Sequence, residues 1–129
     1  MSISTLDLML GNYVQLPTGE YGIVEEIHPL SVRVSVCQDA SKFYKAKDVS
    51  PIPIDSFVLQ RAGFMFLKTD DNDWWELRIG ELLLNADEST LFQTVFVNCG
   101  KWELNKIKYV HELQQLVKYF KKEELYLEL

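Results

Sequence analysis

Between residues 31 and 37 the chain reads "SVRVSVC", and its side chains alternate without a break. Val32, Val34 and Val36 fall on one side, Arg33, Ser35 and Cys37 on the other. A period of two predicts a strand with one buried face. Its neighbours follow the same rule. "NYVQL", "IVEEI" and "KFYKAKDV" are short runs of branched and aromatic residues, parted by the turns "PTGEYG" and "HPLS", which set His28 at a strand end. Four or five short strands within residues 1–54 predict a small β-barrel.

"SPIPID" changes the pattern. Pro51 and Pro53 hold the chain extended, and Asp55 is placed to cap a short helix, "SFVLQRA", which Gly63 ends in the left-handed conformation with Phe64 folding back. An antiparallel meander is expected next from "FMFLK", "WWELRI", "ELLLN", "LFQTVFVNC" and "KWELN". "LFQTVFVNC" is apolar on both faces and reads as a central strand; "LYLEL", 125–129, reads as an edge strand. The expected architecture is therefore α+β. A barrel over 1–54 packs on a unit over 55–129 made of a helix, the meander, a C-terminal helix and the edge strand.

In "KYVHELQQLVKYFKKEEL" the apolar residues recur at helical spacing. Tyr109, Val110, Leu113, Leu116, Val117 and Phe120 make one core-facing stripe, which puts His111 on the wet side beside Gln115 and Lys118. Glu112 near the start and Lys118, Lys121 and Lys122 near the end complement the helix dipole, by about 0.3–1 kcal/mol each. The basic end needs no ligand to explain it. Read functionally, His111, Gln114, Gln115 and Lys118 form a polar surface for a protein partner.

Composition narrows the choice of function. The 129 residues are 47% hydrophobic, enough for a real core, and the net charge is −6. A negative balance counts against general polyanion binding, which draws its affinity from Lys and Arg. Charge is uneven, with residues 55–100 at a local −5 and residues 101–122 at +4. Nucleic-acid binding would have to use the lysines of 101–122 together with Lys42, Tyr44, Lys45 and Lys47, where basic residues interleave with aromatics. Cys37 and Cys99 have no close partner, which favours reduced thiols over a disulfide framework or a zinc site. No basic leader followed by an apolar run opens the chain, and no apolar stretch approaches the roughly 20 residues that span a bilayer. A cytoplasmic protein without membrane contact is expected.

"TDDNDWW" lacks the Gly and the closing Glu of a calcium loop and reads as an acidic hairpin tip. Trp74 and Trp75 then point to opposite faces of a strand, and an exposed one is a candidate partner contact. The chain contains no nucleophile elbow, P-loop, paired-histidine zinc motif or dinucleotide fingerprint. No catalytic residue, metal ligand or cofactor is assigned.

Two resemblances add to this reading. Gly11, Val14, Gly19, Gly22, Val24 and Ile27 in "GNYVQLPTGEYGIVEEI" look like the KOW-type hairpin of SH3-like barrels. RNA-binding versions add basic residues where this chain has Glu20, Glu25 and Glu26, so a folding role is expected of it. "YVHELQQLVKYF" followed by "EEL", with "DLMLGNYV", "VSPIPI" and "LQRAGF", resembles a family of small uncharacterised proteins of gut Bacteroidales, their phages and mobile elements. "KKEEL" departs from that pattern by replacing a Gly-containing turn. The resemblance implies an accessory-genome origin and a barrel-plus-α+β build, and brings no catalytic residues. The expected function is a non-enzymatic interaction module, a regulator or host-factor binder. Nucleic-acid binding and small-molecule or nucleotide binding are the alternatives.

Overall fold

The alternating segment forms β3 (Ser31–Ser35) of a four-stranded antiparallel meander, with β1 (Tyr13–Gln15), β2 (Tyr21–Ile27) and β4 (Lys42–Lys45) following one another in space as in sequence. This is a computed structural model that describes residues 3–36, 40–68, 73–79, 82–87, 95–99 and 102–121. It shows a mixed α+β protein with two antiparallel sheets and two helices. The residues fall into two units. The first runs to Ile52 and takes in Tyr109–Gln115; the second comprises Pro53–Lys108 and the residues from Leu116 on.

In the first unit Val32 and Val34 are buried as their alternation requires, and with Ile3, Leu8, Val14, Leu16, Val24 and Val49 they form one apolar cluster. Two glycines shape the sheet, one by its backbone conformation and one by close packing. Gly19 turns the chain from β1 into β2 with φ of 90°, a region where a side chain would strain the backbone. Gly22 faces Val34 so closely that a Cβ would lie 2.3 Å from Val34 Cγ1. "KFYKAKDV" is not one strand throughout: it leaves the sheet after Lys45 for a 3-10 turn, Ala46–Asp48. The chain then returns to β1, where Gln15 and Ser50 exchange two backbone hydrogen bonds of 2.9 Å. Among the described residues this is a four-stranded sheet with one bridge back to its first strand, not a barrel closed all round.

The second unit begins as expected. Asp55 accepts a hydrogen bond from Val58 N–H at 2.8 Å and caps α1 (Ser56–Arg61). At the other end Gly63 has φ of 93°, its N–H reaches Gln60 O, and Phe64 N–H reaches Leu59 O. That paired closure satisfies carbonyls the helix would otherwise leave open, and Phe64 is buried behind it. We expect Asp55→Ala to lower the unfolding free energy by about 0.5–2 kcal/mol in urea denaturation. A loss too small to resolve would show that the cap adds nothing here.

Five strands follow as an antiparallel meander: β5 (Met65–Lys68), β6 (Asp73–Ile79), β7 (Leu82–Asp87), β8 (Val95–Cys99) and β9 (Trp102–Ile107). β8 pairs on both sides, with β7 and β9, as expected of a central strand. The last described element is α2 (Val110–Lys121). No helix among the described residues is long and apolar enough to cross a membrane. Cys37, most of the acidic hairpin tip, Lys122 and the expected edge strand at 125–129 lie outside the described residues.

Candidate functional site

Of the expected helical stripe, Val110, Leu113 and Val117 are buried and Tyr109 and Leu116 half-buried. The placement of His111 on the wet side is corrected, because it is only 5% exposed. Gln114, one of the expected contact residues, is 3% exposed. The reason is an irregular segment around Gly11–Tyr13 whose backbone groups need partners. Gln114 supplies them, its Oε1 accepting from Tyr13 N–H at 2.8 Å and its Nε2 donating to Gly11 O at 3.1 Å. Gln115 Nε2 donates to Asp7 O at 2.7 Å and to Asn12 Oδ1 at 2.9 Å. Asn12 Oδ1 also accepts from Met9 N–H at 2.8 Å, so this buried amide is satisfied too. A helical wheel counts polar residues as solvated and has no means of finding this layer.

These elements leave a cleft of about 430 Å³ between the segment Ile3–Asp7 and the first turns of α2, wholly within the first unit. Asp7, Tyr109, His111 and Glu112 are among its walls. Glu112 reaches back from the third helical position to accept from Tyr109 N–H at 3.0 Å, half of a capping box. Tyr109 and His111 stack with rings 5.9 Å apart and 15° from parallel. His111 lines the cleft, and its Nδ1 is enclosed and meets no hydrogen-bond partner. Burial pushes the imidazole pKa down, while Glu112 and then Asp7 pull it up by smaller amounts. The ring is neutral at pH 7.

That shift fixes the sign of a pH effect. The unfolded chain takes a proton at His111 near pH 6.5, the folded chain only at lower pH. Between those values the unfolded state holds more protons, so stability rises with pH across the window and is lost as pH falls through it. We expect His111→Phe, which keeps a ring against Tyr109 but cannot titrate, to show a smaller change in unfolding free energy between about pH 7.5 and about pH 5.5. Equal changes in the two proteins would exclude a buried neutral imidazole.

A second concavity, of about 540 Å³, lies in the second unit between Ser56, Phe57 and Gln60 of α1 and Phe66 and Trp75 of the sheet. Phe66 and Trp75 are direct cross-strand partners with rings 5.1 Å apart, and Trp74, pairing with Leu67, takes the opposite face as alternation requires. Both tryptophans are half-buried. Trp75 Nε1 is enclosed without a hydrogen-bond partner. Phe57 and Phe66 remain 43% and 41% exposed, and Arg61 lies 4.6 Å over the Phe57 ring. Sequence reading missed Phe57. Its signal was present, since in "SFVLQRA" Val58, Leu59 and Ala62 are the buried residues and an aromatic out of phase with them must face outward.

Of the lysines proposed for nucleic acid, Lys42, Lys45 and Lys47 do not form one stripe, and Lys101 and Lys122 lie outside the described residues. Lys42 and Tyr44 oppose Val34 and Val32 on the core-facing side of β4, while Phe43 and Lys45 take the other side, and Lys47 lies in the turn beyond. On that outer side Arg33 pairs with Glu26 and Glu25, and His28 stands 3.5 Å from Glu26. Glu25 and Glu26 thus have partners within the sheet, while Glu20 accepts from Thr18 Oγ1 at 3.2 Å in the turn. Lys118 is half-buried on α2. Among the described residues no group of three or more His, Cys, Asp or Glu could hold a metal ion.

No protein-family model matches the chain, and neither do any curated proteins or solved structures.

Proposed function

We propose that the chain is a non-enzymatic interaction module that recruits a protein partner through the groove between Phe57, Phe66 and Trp75. The observation that carries this reading is the exposure of two phenylalanines around a tryptophan whose indole N–H has no acceptor. Apolar and aromatic side chains in a pocket are where binding energy concentrates. The partner we propose lays an apolar side chain into the groove and turns a carboxylate toward Arg61. Gln114 and Gln115 are engaged with backbone groups and are not part of the proposed docking surface.

The finer fold assignment belongs with this reading. The meander β1–β4 with the Gln15–Ser50 bridge supports an SH3-like barrel that serves as a folding platform. An accessory-genome origin and a cytoplasmic setting are part of the same proposal and rest on the sequence. Affinity capture from a lysate of the source organism, with wild type and Phe57→Asp in parallel, tests the groove. A stoichiometric partner that is lost with Phe57→Asp and rebinds purified wild type supports the proposal. A partner retained equally by Phe57→Asp, or none at all, counts against it.

A further inference from the structure

We infer that the partner enters the aromatic groove as an extended segment that adds a strand to the outer edge of β5. The inference deepens the groove reading and rests on it. Among the described residues β5 pairs with β6 alone, so every second residue turns its backbone N–H and C=O away from the sheet. Met65 and Phe66 are consecutive, which puts them on opposite faces, and they are 66% and 41% exposed. Both faces of the edge are open. The other sheet edges carry devices that deter pairing. Ser50 bridges the outer side of β1. β4 has Lys42 and Lys45 at its two ends. β9 meets β8 through a register shift at Val97/Asn98 and carries Glu103 and Lys106. β5 is short, but its pairing with β6 is regular, and Met65, Phe66 and Leu67 precede a single charge, Lys68.

The register says what such a strand brings. Phe66 belongs to the edge strand itself and Trp75 stands directly across from it on β6, so the groove begins where a new strand would lie. A segment added about 4.8 Å beyond β5 sets one side chain opposite Phe66, on the face to which α1 contributes Phe57. Aromatic walls make that side chain apolar. Arg61 lies over the Phe57 ring and makes no ion pair among the described residues, so a carboxylate on the same segment complements it. Backbone hydrogen bonds to β5 then supply affinity, and the groove selects the side chain. A helical partner gains nothing from the edge, because its backbone groups are already paired within the helix.

The test selects a random-peptide phage library on the full chain and titrates synthetic, end-blocked copies of the enriched peptides by fluorescence anisotropy. Backbone N-methyl groups are placed on one set of alternate peptide residues, then on the other. In an added strand only one set faces β5, so one methylated form should bind roughly tenfold more weakly and the other within about twofold of the parent. Binding should also be lost with Phe57→Asp. Equal losses from the two methylated forms, or none from either, would overturn the added strand, while loss with Phe57→Asp leaves the groove reading standing. Peptides that bind wild type and Phe57→Asp alike would contradict the groove reading and this inference together. A library that yields no binder would overturn the inference and leave the groove reading to the capture experiment. A dimer of the free chain in light scattering, with β5 protected from hydrogen exchange, would overturn it as well, because a second copy then holds the edge.

Discussion

Replacing Gln114 by leucine is expected to lower the unfolding free energy by about 2–4 kcal/mol, although the substitution adds apolar surface at a buried position. Leucine approximates the volume of glutamine, so little cavity forms. What is lost is the pair of hydrogen bonds to Tyr13 N–H and Gly11 O. Each part-buried backbone group then loses that bond, at about 1–3 kcal/mol apiece. Urea denaturation of the two proteins at one pH measures the difference. A loss under about 0.5 kcal/mol, the size of an ordinary surface substitution, would show that water reaches both groups and that Gln114 is no pin.

Gln114 also shows where sequence reading stopped. Val32 and Val34 announced their face by alternation, Asp55 and Gly63 announced both ends of α1, and all four behave as read because their signals are local. His111 and Gln114 depend on what covers them. The wheel placed His111 outside by its angle from the apolar stripe, whereas Gln114, beside the same turn, is tied to Gly11 and Tyr13, about a hundred residues away in sequence. Nothing in the helix itself encodes that cover. Phe57 was legible in principle, because it falls out of phase with the buried Val58, Leu59 and Ala62. The sequence offers Trp74 and Trp75 alike, and the groove at Trp75 needs Phe66, set across the strand by register, with α1 alongside. The barrel expectation exceeded the observed sheet for a related reason. Strand count predicts a meander, while closure depends on pairing after Lys45, where the chain turns through Ala46–Asp48 instead.

Gly22→Ala is expected to destabilise the protein by about 1–3 kcal/mol, for a steric and not a conformational reason. The added methyl would lie 2.3 Å from Val34 Cγ1 and 3.0 Å from Ser35 O, and the second of these is backbone in the paired strand. Val34 is fully buried and cannot swing away without opening the apolar cluster of the first unit. Thermodynamic coupling tests the cause. Val34→Ala removes the atom that is struck, so the Gly22→Ala/Val34→Ala double variant should be less destabilised than the sum of the single changes. Strict additivity would assign the loss to something other than this contact.

The proposal that the chain works by docking another protein on its aromatic groove is tested most directly by hydrogen–deuterium exchange, comparing the protein alone with its complex with the captured partner. The groove account predicts slowed exchange in α1 and in β5 and β6, with the backbone at Gly11–Tyr13 unchanged. Slowed exchange elsewhere that leaves those three elements as they are in the free protein would contradict it.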